Sequence, residues 1–95
     1  MVAYVVFMRE KTHDPELLAL YSPKAKAASK GHPMTIRAFH GRHEVLEGPE
    51  IEAMSILEFP SLEAAKAWYT SPDYQEALPL RLKGGDYRCV LIDGL

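Results

Sequence analysis

Residues 2–8, VAYVVFM, are apolar or aromatic at every position. An unbroken run of β-branched and aromatic side chains marks a strand covered on both faces, and predicts a central strand of a sheet. Asp14 before Pro15 joins an N-cap acceptor to a residue whose fixed φ and missing N–H suit the first helical position, and Glu16 adds negative charge where the helix dipole favours it. Leu17, Leu18, Tyr21, Ala25 and Ala28 then recur at helical spacing. Pro23 cannot bond back to the carbonyl of Ala19, so a kink or division is expected there, with Ser22 capping the second piece. Gly31 supplies a left-handed stop and Pro33 bars continuation, ending the helix by about Lys30.

Residues 34–39 read as a second strand, with Met34, Ile36 and Ala38 on one face and Thr35, Arg37 and Phe39 on the other. Gly41 is the expected bulge or bend. A turn at Gly48 and Pro49 leads to an alternating third strand over residues 51–59, which predicts an antiparallel hairpin of strands two and three. Ser61 caps a helix whose Leu62, Ala65, Trp68 and Tyr69 share a stripe. Ser71 and Pro72 repeat the cap-plus-proline device and open a short helix with Tyr74, Ala77 and Leu78, limited by Pro79 and the Gly84–Gly85 pair. Residues 87–92 supply the last strand. The order strand, helix, strand, strand, helix, strand predicts a single α+β domain of ferredoxin-like βαββαβ form, an antiparallel sheet with helices on one face.

That arrangement leaves the second sheet face without a cover. A wetted face should show polar residues at every other strand position, yet each strand carries apolar side chains on both. Sheet-to-sheet packing of two copies about a two-fold axis answers the need, and a homodimer is expected. Size agrees, because a chain of 95 residues builds only one core and leaves much apolar surface exposed.

With 47% apolar and 25% charged residues the chain is expected to be ordered rather than disordered. A formal net charge of -2 argues against nucleic acid and anionic membranes, which call for concentrated basic charge. The run at residues 2–8 is too short to span a bilayer and lacks the flanks of a signal peptide, so a cytoplasmic protein is expected. Cys89 is the only cysteine, which excludes an intrachain disulfide and a cysteine zinc cluster; its apolar strand context predicts a buried, inert thiol.

EFPSLEAAKAW at residues 58–68, SPDYQ at 71–75, LPLR at 78–81 and EVLEG at 44–48 together resemble the family called domain of unknown function 1330, of the dimeric α/β-barrel superfamily. The resemblance spans almost the whole chain. It departs at Gly31-His32-Pro33, where the family favours a glycine pair followed by a basic residue, and at His40-Gly41-Arg42, where an arginine or glycine-rich run is usual. The resemblance implies a homodimer of ferredoxin-like subunits forming a dimeric α/β barrel, with a cavity between sheet and helices and no agreed reaction. The wider superfamily includes cofactor-free monooxygenases, muconolactone-type isomerases and haem-handling proteins.

The candidate chemistry is sparse. His40 and His43 flank Arg42 in HGRH, and a metal there would need a third ligand such as Glu44 or Glu58, so no metal is expected. Glu58 shares a face with Met54 and Ile56, and a carboxylate buried there has a raised pKa unless paired; it is a candidate general base, or else a strand-end glutamate paired with Arg81, Arg42 or water. Candidate catalytic residues are therefore Glu58, His40 and Arg42. Tyr4, Trp68, Tyr74 and Arg81 are candidates for binding: a strand phenol, two helical aromatics that also serve a core, and a guanidinium able to grip a carboxylate or brace a helix. No phosphate loop, nucleophile elbow or Cys-His pairing appears, and no cofactor is expected. Two functions follow. One is a dimer that binds an aromatic or carboxylate-bearing metabolite, with cofactor-free oxidation, isomerisation or proton transfer as its chemistry; the other is a non-catalytic dimeric binding or interaction module.

Overall fold

The chain runs β1 (Ala3–Thr12), α1 (Pro15–Ala28), β2 (Thr35–Phe39), β3 (Ala53–Phe59), α2 (Leu62–Tyr69), α3 (Pro72–Gly84) and β4 (Gly85–Asp93) in a computed structural model that describes residues 1–95. The strands form one antiparallel sheet in the order β2-β3-β1-β4, the ferredoxin-like arrangement with β1 inside it, as its unbroken apolar run requires. Asp14, Ser61 and Ser71 all cap as their sequence context dictates, each side-chain oxygen accepting from backbone N–H groups of the first helical turn. Gly31 and Gly48 take the positive φ of +81° and +99° that their turns need.

Strand register separates two sheet faces. Val5 lies opposite Leu57 and Leu91, and Phe7 opposite Ser55 and Cys89. Ala3, Val5, Phe7, Ala53, Ser55, Leu57 and Phe59 are buried on this side, against Trp68, Tyr74 and Ala65 of α2 and α3. The Trp68 ring packs on Phe59 and Tyr74 at centroid distances of 5.4 and 4.3 Å, and edge-on to Phe7 at 6.4 Å. Such pairs add about 0.5–1.5 kcal/mol each beyond the area they bury. Tyr4, Val6, Met8, Met54, Ile56, Val90 and Ile92 belong to the other face, which no element covers.

Four local expectations are corrected. Helix α1 is not divided at Pro23, and Ser22 donates to the carbonyl of Leu18 at 3.3 Å instead of capping a second piece. The carbonyl that Pro23 leaves without a donor belongs to Ala19, which is exposed, so water can serve it. Helix α3 likewise continues through Pro79, and of its two expected limits only the glycine pair ends it, at Gly84. The irregularity in β2 lies between Ile36 and Ala38, not at Gly41. The extra residue is Arg37, so Ile36 and Phe39 both fall on the helix side, opposite Leu57 and Ser55. Cys89 is exposed rather than buried, because β4 is an edge strand.

Candidate functional site

Helix α1 packs along α3 and stands off the sheet near the edge strand β2. The space between is a cavity of about 510 Å³. Leu18, Tyr21, Pro23 and Ala25 of α1 form one wall, Phe7, Ser55 and Leu57 the sheet wall, Trp68 and Tyr87 the inner end, and Met34, Ile36 and Phe39 the β2 side. Ile36 and Phe39 remain 60% exposed, so the cavity opens toward β2. The bulge at Arg37 turns both apolar side chains to this side; regular alternation would have pointed Phe39 away.

Arg9, Lys26 and His40 also line the cavity, while no aspartate or glutamate does. Arg9 Nε forms an ion pair with Glu52 Oε1 at 3.3 Å, and the same oxygen accepts from the Thr12 hydroxyl. His40 has a φ of +52°, its N–H donates to the carbonyl of Met54 at 2.9 Å, and its ring stacks on Phe39 at 4.1 Å. Partial burial lowers the imidazole pKa, with the Arg9 charge acting in the same direction.

Tyr21 of the cavity wall connects to a second polar layer behind it. The Tyr21 and Tyr74 hydroxyls are hydrogen-bonded at 2.8 Å. Burial pushes the Tyr21 phenol well above its ordinary range and raises that of Tyr74, where the charge of Arg81 pulls the other way. Arg81 is 3% exposed, its guanidinium carbon 4.9 Å from the ring centres of both Phe7 and Tyr87, and it forms no ion pair. Two aromatic faces solvate the cation, but no acidic group neutralises it.

The candidate residues divide between three places. Trp68 and His40 line the cavity, and Tyr74 and Arg81 lie directly behind residues that do. Glu58 and Tyr4 face each other across β3 and β1 on the uncovered side of the sheet, since strand alternation sets residue 58 opposite in direction to Leu57 and Phe59. Glu58 pairs with Arg37, not with Arg81 or Arg42, through two hydrogen bonds of 3.2 Å. Its pKa is accordingly lowered, chiefly by the hydrogen bonds from Arg37, where burial had been expected to raise it. Arg42 sits with His43 and Glu44 in a polar recess of the loop after β2, and His43 Nε2 is 3.0 Å from the carbonyl of Ile51. No three histidine, cysteine, aspartate or glutamate side chains gather as a metal-binding group.

Sequence reasoning passed over Arg9, Tyr21, Ser55 and Phe39. Arg9 had a signal: it continues the parity of Val5 and Phe7, so a charge falls at a core-facing strand position. Phe39 had none, because its direction depends on the bulge.

The sequence matches the family described as domain of unknown function (DUF1330) over residues 2–95. The chain belongs to this family. No curated protein matches it. The fold of this DUF1330 chain is similar to that of a protein of unknown function from Rhodopseudomonas palustris, with a TM-score of 0.77 and 18% identity over 99% of this chain and 82% of that one. It is similar also to a dimeric ferredoxin-like protein of unknown function from Jannaschia sp. CCS1, with a TM-score of 0.73 and 16% identity over 99% of this chain and 100% of that one. A dimeric ferredoxin-like protein of unknown function from Thermobifida fusca gives a TM-score of 0.69 and 15% identity over 99% of this chain and 92% of that one. No helix of the DUF1330 chain is long and apolar enough to cross a membrane.

Proposed function

We propose that this DUF1330 protein is a homodimer that binds a small aromatic or carboxylate-bearing metabolite between α1 and the sheet. The observation that carries the reading is the lining of the cavity: apolar and aromatic walls with Arg9 and Lys26 among them and no acidic side chain. Its volume of about 510 Å³ lies in the range of small-molecule sites. The dimer rests on the uncovered sheet face, where Val90 and Ile92 are 42% and 56% exposed beside Val6 and Ile56. Two similar structures, from Thermobifida fusca and Jannaschia, are described as dimeric.

Calorimetric titration with 2-naphthoate and with 2-naphthylmethylamine tests the site. The anion is expected to bind at least about tenfold tighter, equivalent to about 1.4 kcal/mol. Equal affinities, or no saturable binding of either compound, refute the reading.

His40 favours a second reading, in which the cavity also transfers protons. Its lowered pKa keeps the imidazole neutral and able to accept a proton near neutral pH, and it alone of the three candidate catalytic residues lines the cavity. A His40→Gln variant that keeps ligand affinity but loses turnover would support this reading; unchanged turnover would remove it.

A further inference from the structure

Ser55 and Arg81 are the two polar residues buried in the protein, at 5% and 3% exposure, and of the two only Ser55 lines the cavity. It stands on the helix-facing side of β3 among Ala53, Leu57 and Phe59, all apolar. The three serines of the lining differ in what they bond. Ser22 donates to the carbonyl of Leu18 at 3.3 Å and Ser29 to that of Lys26 at 2.6 Å, whereas the Ser55 hydroxyl has no hydrogen-bond partner in the protein. Nor is it sealed off. The enclosed side-chain atoms without a partner are Arg9 Nε, Trp68 Nε1 and Arg81 Nε, so Ser55 Oγ keeps an accessible surface, and the open space beside it is the cavity. Buried hydroxyls are nearly always paired, because an unpaired one loses the hydrogen bonds that water gave it.

The strand register gives this hydroxyl a shaped surrounding. Phe39 of β2, Ser55 of β3 and Phe7 of β1 are direct partners in one row across the sheet. The two phenylalanines therefore stand two strand spacings apart, about 10 Å, with a small side chain between them. That slot admits the edge of a flat ring, and its floor is the Ser55 oxygen, which can donate once and accept. Charge near the floor is already balanced, since Arg9, which follows Phe7 on the same face of β1, is paired with Glu52. Lys26, the lining cation outside any ion pair, is exposed on α1.

We infer that the ligand is an oxygen-substituted aromatic compound, whose ring enters between Phe7 and Phe39 and whose uncharged hydroxyl or carbonyl oxygen is hydrogen-bonded to Ser55 Oγ. This inference rests on the binding reading above and narrows its ligand class. Ser55 is a specificity-determining residue: it selects a ring that carries a polar oxygen over the bare ring, because the bare ring leaves the hydroxyl unpaired.

Calorimetric titration of wild type with 2-naphthoate, 6-hydroxy-2-naphthoate and its 7-hydroxy isomer tests this. The better of the two hydroxy compounds is expected to bind about tenfold tighter than 2-naphthoate. In Ser55→Ala that preference should collapse, while 2-naphthoate itself binds at least as tightly as in wild type. Ser55→Cys, close in size but with a weak hydrogen-bonding thiol, should reduce the preference as well and serves if the alanine variant does not fold. If 2-naphthoate binds and neither hydroxy compound binds tighter, the Ser55 contact is overturned and the binding reading stands. A hydroxyl preference that persists unchanged in either variant overturns it too, with water then the partner of Ser55. If none of the three compounds binds, the binding reading falls and this inference with it.

Discussion

The hydroxyls of Tyr21 on α1 and Tyr74 on α3 lie 2.8 Å apart and form a polar link between the two helices. Tyr74 is wholly buried, and the rings meet edge to face at 82°. Tyr21→Phe leaves the Tyr74 hydroxyl without this partner in the interior, at a cost of about 1–3 kcal/mol. The Tyr21→Phe/Tyr74→Phe double variant should lose less than the two single variants added together, because it removes both halves of the bond. Urea unfolding of the four proteins measures the coupling.

Gly85 lies at the start of β4 where the chain passes close to β1. A β-carbon there would sit 2.7 Å from the backbone oxygen of Lys11, whereas one at Gly84 would meet the movable Leu18 side chain at 2.6 Å. Gly85→Ala should therefore be the more destabilising of the two, by the about 1–3 kcal/mol typical of overpacking, since a strand backbone cannot yield as a leucine terminus can. Thermal melts that rank Gly84→Ala as the worse variant would contradict this packing.

The uncovered sheet face predicts the effect of a charge at its centre. Ile56 pairs with Val6 of β1 and with Ala38 of β2 on that side. In the homodimer proposed above, Ile56→Lys should leave a folded monomer, because burying an unpaired ammonium against a second sheet costs more than the interface returns. Sedimentation velocity combined with circular dichroism reads both properties, and a dimer that persists in Ile56→Lys refutes sheet-to-sheet assembly.

His40 should titrate below the ordinary histidine value of 6.5, first because it is partly desolvated and second because Arg9 is near. The unfolded chain then binds the proton more readily than the folded one. The stability contributed by neutral His40 is therefore complete above pH 6.5 and declines as pH falls through the folded value. Proton NMR of the imidazole follows the midpoint directly, and a carboxylate bound in the cavity should raise it.

Glu58 behaves in the same sense at lower pH. The Arg37 hydrogen bonds hold its pKa below the ordinary 4.5, so the pair stabilises fully above that value and is lost as pH falls through the folded midpoint. Acid unfolding of Glu58→Gln should show a flatter dependence below pH 4.5 than wild type. Matching curves would mean that Arg37 contributes nothing through Glu58.

Much of the fold was legible because its signals are local. Asp14-Pro15, Ser61 and Ser71-Pro72 each supply an acceptor to N–H groups within the next few residues, so three helix starts follow from short segments. The parity of Val5, Phe7, Leu57 and Phe59 marks the buried sheet face without knowledge of what covers it. Proline was the weaker guide. At Pro23 and Pro79 its effect on helix length depends on whether the freed carbonyl meets water, which position in the fold decides.

The candidate site was legible only in part. Trp68, Tyr74 and Arg81 stood out by residue type, and His40 by its motif; Trp68 and His40 line the cavity, while Tyr74 and Arg81 lie behind residues that do. Glu58 stood out equally, yet alternation carries it through the sheet to the opposite side, where Arg37 meets it across the strand pair.

The amino-acid sequence by itself determined the elements, their order and the two apolar sheet faces, since capping, helical spacing and strand alternation act over a few neighbouring bonds. The tertiary structure alone decided that the bulge at Arg37 turns Phe39 toward α1, that Arg81 is buried between Phe7 and Tyr87 without a carboxylate, and that Trp68 Nε1 has no partner. These depend on register and on the separation of segments distant along the chain, which no local preference encodes.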